Sequence, residues 1–496
     1  MTALQDKIKG GWAGKIIGVS YGEPTEFRAR GRIYDGELFW TPDRVQNALF
    51  QDDLYVQMSF LSVIEQHGLD APVEKFAEAM SIANYNLWCA NAAARKNFFE
   101  NVMPPLSGHP DYNLWADAID FQIDADFIGF MCPAMNRTLG AYCDKIGRII
   151  SYGDGLYGGI FIAAMYSFAF YNDRVSDIID YALHTIPEQS QYAQCIRDAI
   201  ELHMLYPEDW TLAWAELDRK WGNCDMSLAF DSYNIDAKLN GAFVVLGLLY
   251  GENDFAKTME ISIRCGQDSD CNPATAAAVL GVKNGYEAIP DIWKSGIPEM
   301  ADKNFSGTTM TLNRAIELTQ KNTLEWTRRN NGIITDTLVT INFEFPLAPP
   351  LEVSFPDVVP ALQENAMDGP HWTRTGDWKI LYEKSSARAD PKPVGVYSSQ
   401  VGAFLEFQFE GTGIVIRGNW ARDGGKANIY LDSLFIKQVE TYYWWGKDEK
   451  KDYDLWHYFN LDPGVHTLKI EVAENPDNPD HDTIYVKTAE VFRHRE

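Results

Sequence analysis

Apolar residues recur at helical spacing through the first two thirds of the chain and alternate with polar ones through the last third. After position 51, Leu54, Met58 and Leu61 recur with Val56, Phe60 and Ile64, and Gly68 follows as a terminator. The stretches 196–205, 237–249 and 312–325 carry the same period. Residues 239–249 are apolar on nearly every side, which predicts a central, buried helix. The first helix holds Gly10, Gly14, Gly18 and Gly22 at intervals of four, with Ile8, Trp12 and Ile16 between them. Glycines stacked on one helix face let another backbone come close. From about residue 331 the period shortens to two. Segment 337–345 sets Leu338, Thr340 and Asn342 against Val339, Ile341 and Phe343, and the prolines of 346–350 end it. Runs at 403–409, 413–417, 427–431 and 466–472 alternate in the same way. Short alternating runs at such spacing predict an antiparallel β-sandwich. The expected organisation is a multidomain α + β chain: an all-α unit over 1–330, a linker or bridging strand segment over 331–355, and a sandwich over 356–496.

Composition narrows the partners. The chain has 496 residues, 46% of them hydrophobic, enough to bury a large core. Its net charge of −27 argues against nucleic-acid phosphate as a partner. An anionic substrate stays open, because a bound metal reverses the local sign. Seven cysteines occur with no C-x-x-C pair and none after Cys271, which is neither a disulfide framework nor a zinc ribbon. No apolar run reaches membrane-spanning length, and Met1-Thr2-Ala3-Leu4-Gln5-Asp6 lacks a signal-peptide core. The default expectation is a cytoplasmic protein with no membrane or nucleic-acid partner, or a periplasmic one if a leader has been removed. The sequence carries no signal for the oligomeric state.

The chemistry concentrates in two acidic pairs, Gln51-Asp52-Asp53-Leu54 and Asp268-Ser269-Asp270-Cys271-Asn272. Each stands where a helix is predicted to begin, the second with Asn272 as cap and Pro273 at the first helical position. Aspartates in such places often only cap free amides and complement the helix dipole. Should the fold bring both pairs together, their carboxylates need a countercharge, and hard divalent cations with oxygen ligands supply it. The expected ion is Mg2+, one or two, with Ca2+ or Mn2+ as alternatives. Cys265 and Cys271 flank the second pair without a histidine partner, so they read as packing residues. Asp124 and Asp126 would share a face if 121–127 is extended, and read otherwise as cap or surface acids. His184 ends an apparent helix, either lining a pocket or complementing the dipole.

Three pieces in register over residues 1–320 resemble the ADP-ribosylglycohydrolase family. Gly18-Val19-Ser20-Tyr21-Gly22-Glu23-Pro24-Thr25-Glu26 is similar to its G-D-A-x-G-x-P-x-E segment. Gln51-Asp52-Asp53 is similar to its T-D-D motif, and Asp268-Ser269-Asp270-Cys271 to its D-x-D-T motif. Ser151 to Gly159 resembles a glycine-rich substrate-binding loop, which would put Gly153, Asp154, Gly155 and Tyr157 at the substrate; Asp124 and Asp126 are further candidates for the general base or acid beside Glu26, and His184 for lining the pocket. The alternative for Asp154 is a cap for a helix starting at Gly158. The resemblance implies an orthogonally packed all-helical domain with a two-magnesium centre. Gln51, Asp52, Asp53, Asp268, Asp270 and Cys271 take the ligand positions, and Glu26, Asp53 and Asp268 the catalytic ones. Gln51 and Cys271 replace threonines, and Val19 an aspartate. A thiol is a poor magnesium ligand, and Asn272 could substitute through its carbonyl.

The last third resembles a galactose-binding-like sandwich of the kind appended to bacterial carbohydrate enzymes, on Gly411-Thr412-Gly413-Ile414, 427–432, Leu455-Trp456-His457 and 464–470. The four rings of Tyr442-Tyr443-Trp444-Trp445 cannot all face a core in a strand. The function these readings imply is a metal-dependent glycoside hydrolase cleaving at the anomeric carbon of an ADP-ribosyl or related sugar. The alternative is a non-catalytic carbohydrate- or nucleotide-binding protein on a decayed glycohydrolase scaffold.

Overall fold

The glycine stripe decides how the helical unit assembles. In the computed structural model, which describes residues 2–386, 388–445, 450–476 and 478–495, the helix Thr2–Gly22 lies against the helix Cys271–Asn284. A Cβ built on Gly14 would stand 2.4 Å from the Ala277 carbonyl oxygen, and one on Gly22 2.2 Å from that of Ser269. No side chain fits there, so the stripe sets the distance between the two helices. The opposite face of the first helix buries Trp12, which meets Phe130 edge-on at 5.1 Å and donates its indole N–H to Thr319 Oγ1 of the helix Leu312–Arg329. The expected central helix, Ala237–Tyr250, is buried nearly throughout.

The chain divides into Met1–Ser354 and Phe355–Glu496. The first unit is helical and the second is an antiparallel β unit. Phe404–Trp420 and Lys450–Ala473 pair along their length and are interrupted by bulges. They are continued by Ile484–His494 on one side and Lys426–Leu431 on the other. Strands this long bend at bulges, which folds the sheet back on its own apolar face. Leu405, Phe407, Phe409, Ile414 and Ile416 form its core, the alternation the sequence predicts.

Three local expectations change. Residues 337–345 are not a continuous strand, since only Val339–Thr340 pairs, with Ile333–Ile334. The rest is pinned by side chains: Asn342 donates to the carbonyls of Asn330 and Asn331, and the Glu344 carboxylate accepts from Thr138. Segment 331–354 therefore clusters with the helical unit. The second acidic pair leads into a helix that begins at Cys271, with Asp270 in the capping position, rather than at Pro273 behind an Asn272 cap; Pro273 stands in the first turn, where its missing N–H costs nothing. The glycine-rich segment is no loop but the opening turns of the helix Gly153–Ala169. Its glycines serve close packing: a Cβ on Gly155 would stand 2.2 Å from the Ala116 carbonyl oxygen. The tail rings follow the strand Leu434–Glu440 rather than lying in one, and they divide as expected, with Tyr443 buried and Trp444 exposed.

Candidate metal centre

The packing of the first helix onto Cys271–Asn284 carries the second acidic pair to the start of the first helix's following turn. Thr25 Oγ1 and Ser269 Oγ lie 2.8 Å apart, and Thr25 also donates to the Gly22 carbonyl. The helix Asp52–His67 brings the first pair to the same place. Across 218 positions of sequence, the Cys271 thiol donates to Asp53 Oδ2 at 3.1 Å. Ligand atoms of Asp53, Asp270 and Cys271 all lie within 4.8 Å of one another. The two aspartate pairs therefore meet.

These acids are crowded and largely dry. Asp53, Asp268 and Asp270 are buried, and Asp52 and Glu26 are half-buried at the rim. Burial pushes the Glu26 carboxyl up to about 9, helped by the charges of Asp270, Asp52 and Asp53. Burial and the charges of Asp53 and Asp120 push Asp52 up to about 7. Asp268 also rises to about 7, through burial and the charges of Glu26 and Asp53, against a hydrogen bond with Asp270. Burial and its neighbours Asp268 and Asp53 drive Asp270 well above the ordinary carboxylate range. Among the described residues, none of Glu26, Asp52, Asp268 and Asp270 has an ammonium or guanidinium partner.

One fixed cation does reach the cluster. Lys15 Nζ stands 2.8 Å from Asp53 Oδ1 and 3.1 Å from Asp126 Oδ2, and donates to the Ile123 carbonyl at 3.3 Å. All three side groups are fully buried. Burial alone would discharge the amine, but Asp126 and Asp53 outweigh it and keep Lys15 charged. Gln57 completes the arrangement, donating to Asp126 Oδ2 at 2.7 Å and accepting from the Phe127 amide at 3.0 Å.

The remaining predicted residues are placed as follows. Asp124 and Asp126 do not share an extended segment. They end and begin the consecutive short helices Asp120–Asp124 and Asp126–Met131, both fully buried. Asp124 accepts from Asn91 Nδ2 at 3.0 Å, while Asp126 meets Lys15. Gln51 precedes its helix in extended conformation, and its carbonyl accepts from Leu54 and Tyr55. Asp154 accepts from the Tyr192 amide at 3.0 Å and faces Lys238 at 3.6 Å. Tyr157 donates its hydroxyl to the Pro350 carbonyl and accepts from the Glu352 amide. A Cβ on Gly153 would meet Ser354 Oγ. Residues 350–354 thus cover the start of the Gly153–Ala169 helix, and the polar groups expected to face substrate there face protein. His184 is exposed at the end of Val175–Leu183, its Nδ1 on the Asp180 carbonyl, which is the dipole reading of the two offered by sequence.

Sequence reasoning missed Lys15, Gln57, Asp120 and Asn91. A signal existed for the first: Lys15 is the sole charged residue between Gly10 and Gly22, on a helix with glycine on one face and Trp12 on the other. A charge so placed must be buried and paired.

Comparison with known proteins adds the following. A family model described as ADP-ribosylglycohydrolase matches residues 1–325. A solved structure titled an ADP-ribosylglycohydrolase-related protein complex is 15% identical, covers 65% of this chain and 100% of its own, and superposes with a TM-score of 0.44. The CBM36-1 domain of a multidomain xylanase from the hindgut metagenome of Trinervitermes trinervoides is 11% identical over 27% of this chain and 98% of its own, with a TM-score of 0.19. A family two carbohydrate esterase from Cellvibrio japonicus is 15% identical over 27% of this chain and 34% of its own, also with a TM-score of 0.19. No curated protein matches the chain.

Proposed function

Because the chain belongs to the ADP-ribosylglycohydrolase family, whose model spans residues 1–325, we propose that it is a metal-dependent glycoside hydrolase acting at the anomeric carbon of an ADP-ribosyl or related sugar. The observation that carries this is the surplus of buried carboxylate at Asp53, Asp268 and Asp270, with Lys15 as its one fixed cation among the described residues. The donor set fits a hard divalent ion such as Mg2+ or Mn2+, since it is made of carboxylate oxygens. Asn272 Oδ1, beside the pair, is a buried carbonyl with no hydrogen-bond partner, a further oxygen of the right kind. The Cys271 thiol does not fit such an ion. Burial drives its pKa well above the ordinary thiol range, and it donates to Asp53.

Asp53, Asp268 and Asp270 would hold the ion. When bound, it would orient ring hydroxyls and acidify a water molecule. The chain's own groups supply the proton traffic. Glu26 sits at the half-buried rim, where burial first, and then the charges of Asp270, Asp52 and Asp53, push its carboxyl up towards the protonated form. It is therefore placed to donate that proton to the leaving oxygen as the glycosidic C–O bond breaks. Asp52, titrating near neutrality, is the candidate to take a proton from the incoming water as its oxygen bonds to the anomeric carbon.

The test is hydrolysis with Mg2+ present, comparing release of ADP-ribose from ADP-ribosylated arginine and serine peptides with release of sugar from aryl glycosides. Glu26→Gln should lose about 100-fold or more in kcat, and Asp268→Ala should lose both activity and ion binding. No turnover on either substrate class by an enzyme that binds the ion would overturn the hydrolase reading.

A further inference from the structure

The resemblance to a two-magnesium family leads to an expectation of two ions, yet one side of Asp53 already carries a cation. Its two carboxylate oxygens face different neighbours. Oδ2 faces Cys271 and the Asp270 side of the cluster. Oδ1 faces the Lys15 ammonium. That ammonium lies among three oxygens, from Asp53, Asp126 and the Ile123 carbonyl, at 2.8, 3.1 and 3.3 Å. Three oxygens converging on one positive centre in a fully buried pocket is the environment a small cation would have. Here the cation is covalently attached to the first helix.

We infer that Lys15 takes the place of a second ion, so that this centre binds one divalent cation rather than two. The inference rests on the metal reading above. A divalent ion would coordinate Asp53 Oδ1 at about 2.0–2.6 Å, and would have to share that buried oxygen with an ammonium already 2.8 Å from it, two positive centres repelling each other in a dry pocket. Moving Lys15 aside is opposed by its surroundings. It projects from a helix packed closely against Cys271–Asn284 through its glycines, and its side chain is fully buried. Expelling an ammonium from two buried carboxylates would leave Asp126 uncompensated. Lys15 is on this account a positioning residue. It fixes the Asp53 carboxylate and leaves Oδ2, with Asp268 and Asp270, for the single ion.

The experiment uses the full chain, stripped with chelator, dialysed and loaded with Mn2+. Equilibrium dialysis counts bound ions, and electron paramagnetic resonance reports whether they are coupled. The wild type is expected to bind one Mn2+ per chain with the signal of an isolated ion. Lys15→Ala is expected to bind two, close enough to show exchange coupling through Asp53. Lys15→Met, which keeps the apolar stem, serves if Lys15→Ala does not fold. Two coupled ions in the wild type overturn the inference while leaving the metal reading intact. So does a folded Lys15 variant that still binds one. A wild type that binds none overturns the metal reading and the inference with it. Should neither variant fold, the wild-type count decides: one isolated ion supports the assignment, and two overturn it.

Discussion

The two units bury carboxylates in opposite ways. In the β unit the buried Glu490 and the half-buried Glu383 each meet a matched partner. Glu490 accepts from Arg417 Nη2 at 3.0 Å and from Gln363 at 3.0 Å. Glu383 accepts from Asn419 at 2.7 Å and from Lys487 at 2.9 Å. Although burial works against it, those partners hold Glu383 below the ordinary carboxylate range. In the helical unit, Glu26, Asp52, Asp268 and Asp270 crowd together and are all driven upward. Matched charge is architecture; the fold gains a defined geometry from it. Unmatched charge is a standing cost that folding alone does not remove, which is how sites for ligands are recognised. A third group, Asp117, Asp154 and Asp236 around Lys238, shows that acid number alone does not decide. There the amides of Tyr192, Gly155 and Lys238 and the Ser354 hydroxyl complete the bonding.

The largest effect that sharpens this contrast is expected at a matched pair. Arg417→Met strands Glu490 and should destabilise the β unit by about 3–5 kcal/mol, with no recovery on adding metal, as read from denaturant midpoints. Next comes the ion itself. Mn2+ at about 100 times its Kd should stabilise the helical unit by about 2.7 kcal/mol and leave the β unit's transition unmoved, which calorimetry with and without chelator would show. At a fixed Mn2+ concentration that gain should grow with pH. Asp268 and Glu26 have folded pKa values raised to about 7 and about 9, so the metal-free unit is most stable when they are protonated and loses stability as pH rises through those values.

A smaller change of opposite sign is expected from Asp270→Asn, which removes one of the crowded acids. The metal-free helical unit should gain about 1 kcal/mol while losing its response to Mn2+; a loss of stability instead would break the contrast. The smallest effect belongs to Glu383. Its folded pKa is lowered, so its contribution is present above the unfolded value near 4 and is lost as pH falls through the folded one. Because the group is partly exposed, solvent screening limits this to under about 1 kcal/mol. The β-unit midpoint in Glu383→Gln should be correspondingly less sensitive to acid.

Much of the fold was legible because it rests on local rules. The stripe Gly10, Gly14, Gly18 and Gly22 announces a close helix neighbour, and the structure supplies one at 2.1–2.4 Å from the missing side chains. The all-round apolar run near 239–249 is the buried helix expected. The meeting of Asp53 with Asp270 was legible only through its motifs, since nothing local encodes a contact across more than two hundred positions. What failed, failed where tertiary packing overrides local pattern. Alternation at 337–345 predicts a strand, but Asn342 and Glu344 find partners on helices before the backbone finds a ladder. Glycines at 153, 155 and 158 suggest a loop, yet they admit Ala116, Gln122 and Ser354 against a helix. Lys15 was missed although its isolation among apolar and glycine positions was a signal, because its partners Asp53 and Asp126 lie on other helices that periodicity does not connect to it.

The central claim is that the unmatched acids exist to hold a divalent cation. Diffraction from Mn2+-soaked crystals, collected at the manganese absorption edge, tests it most directly. The account predicts an anomalous peak bounded by Asp53 Oδ2, Asp268 and Asp270, with the Lys15 ammonium still on Asp53 Oδ1. Fully loaded crystals with no peak among those carboxylates would contradict it.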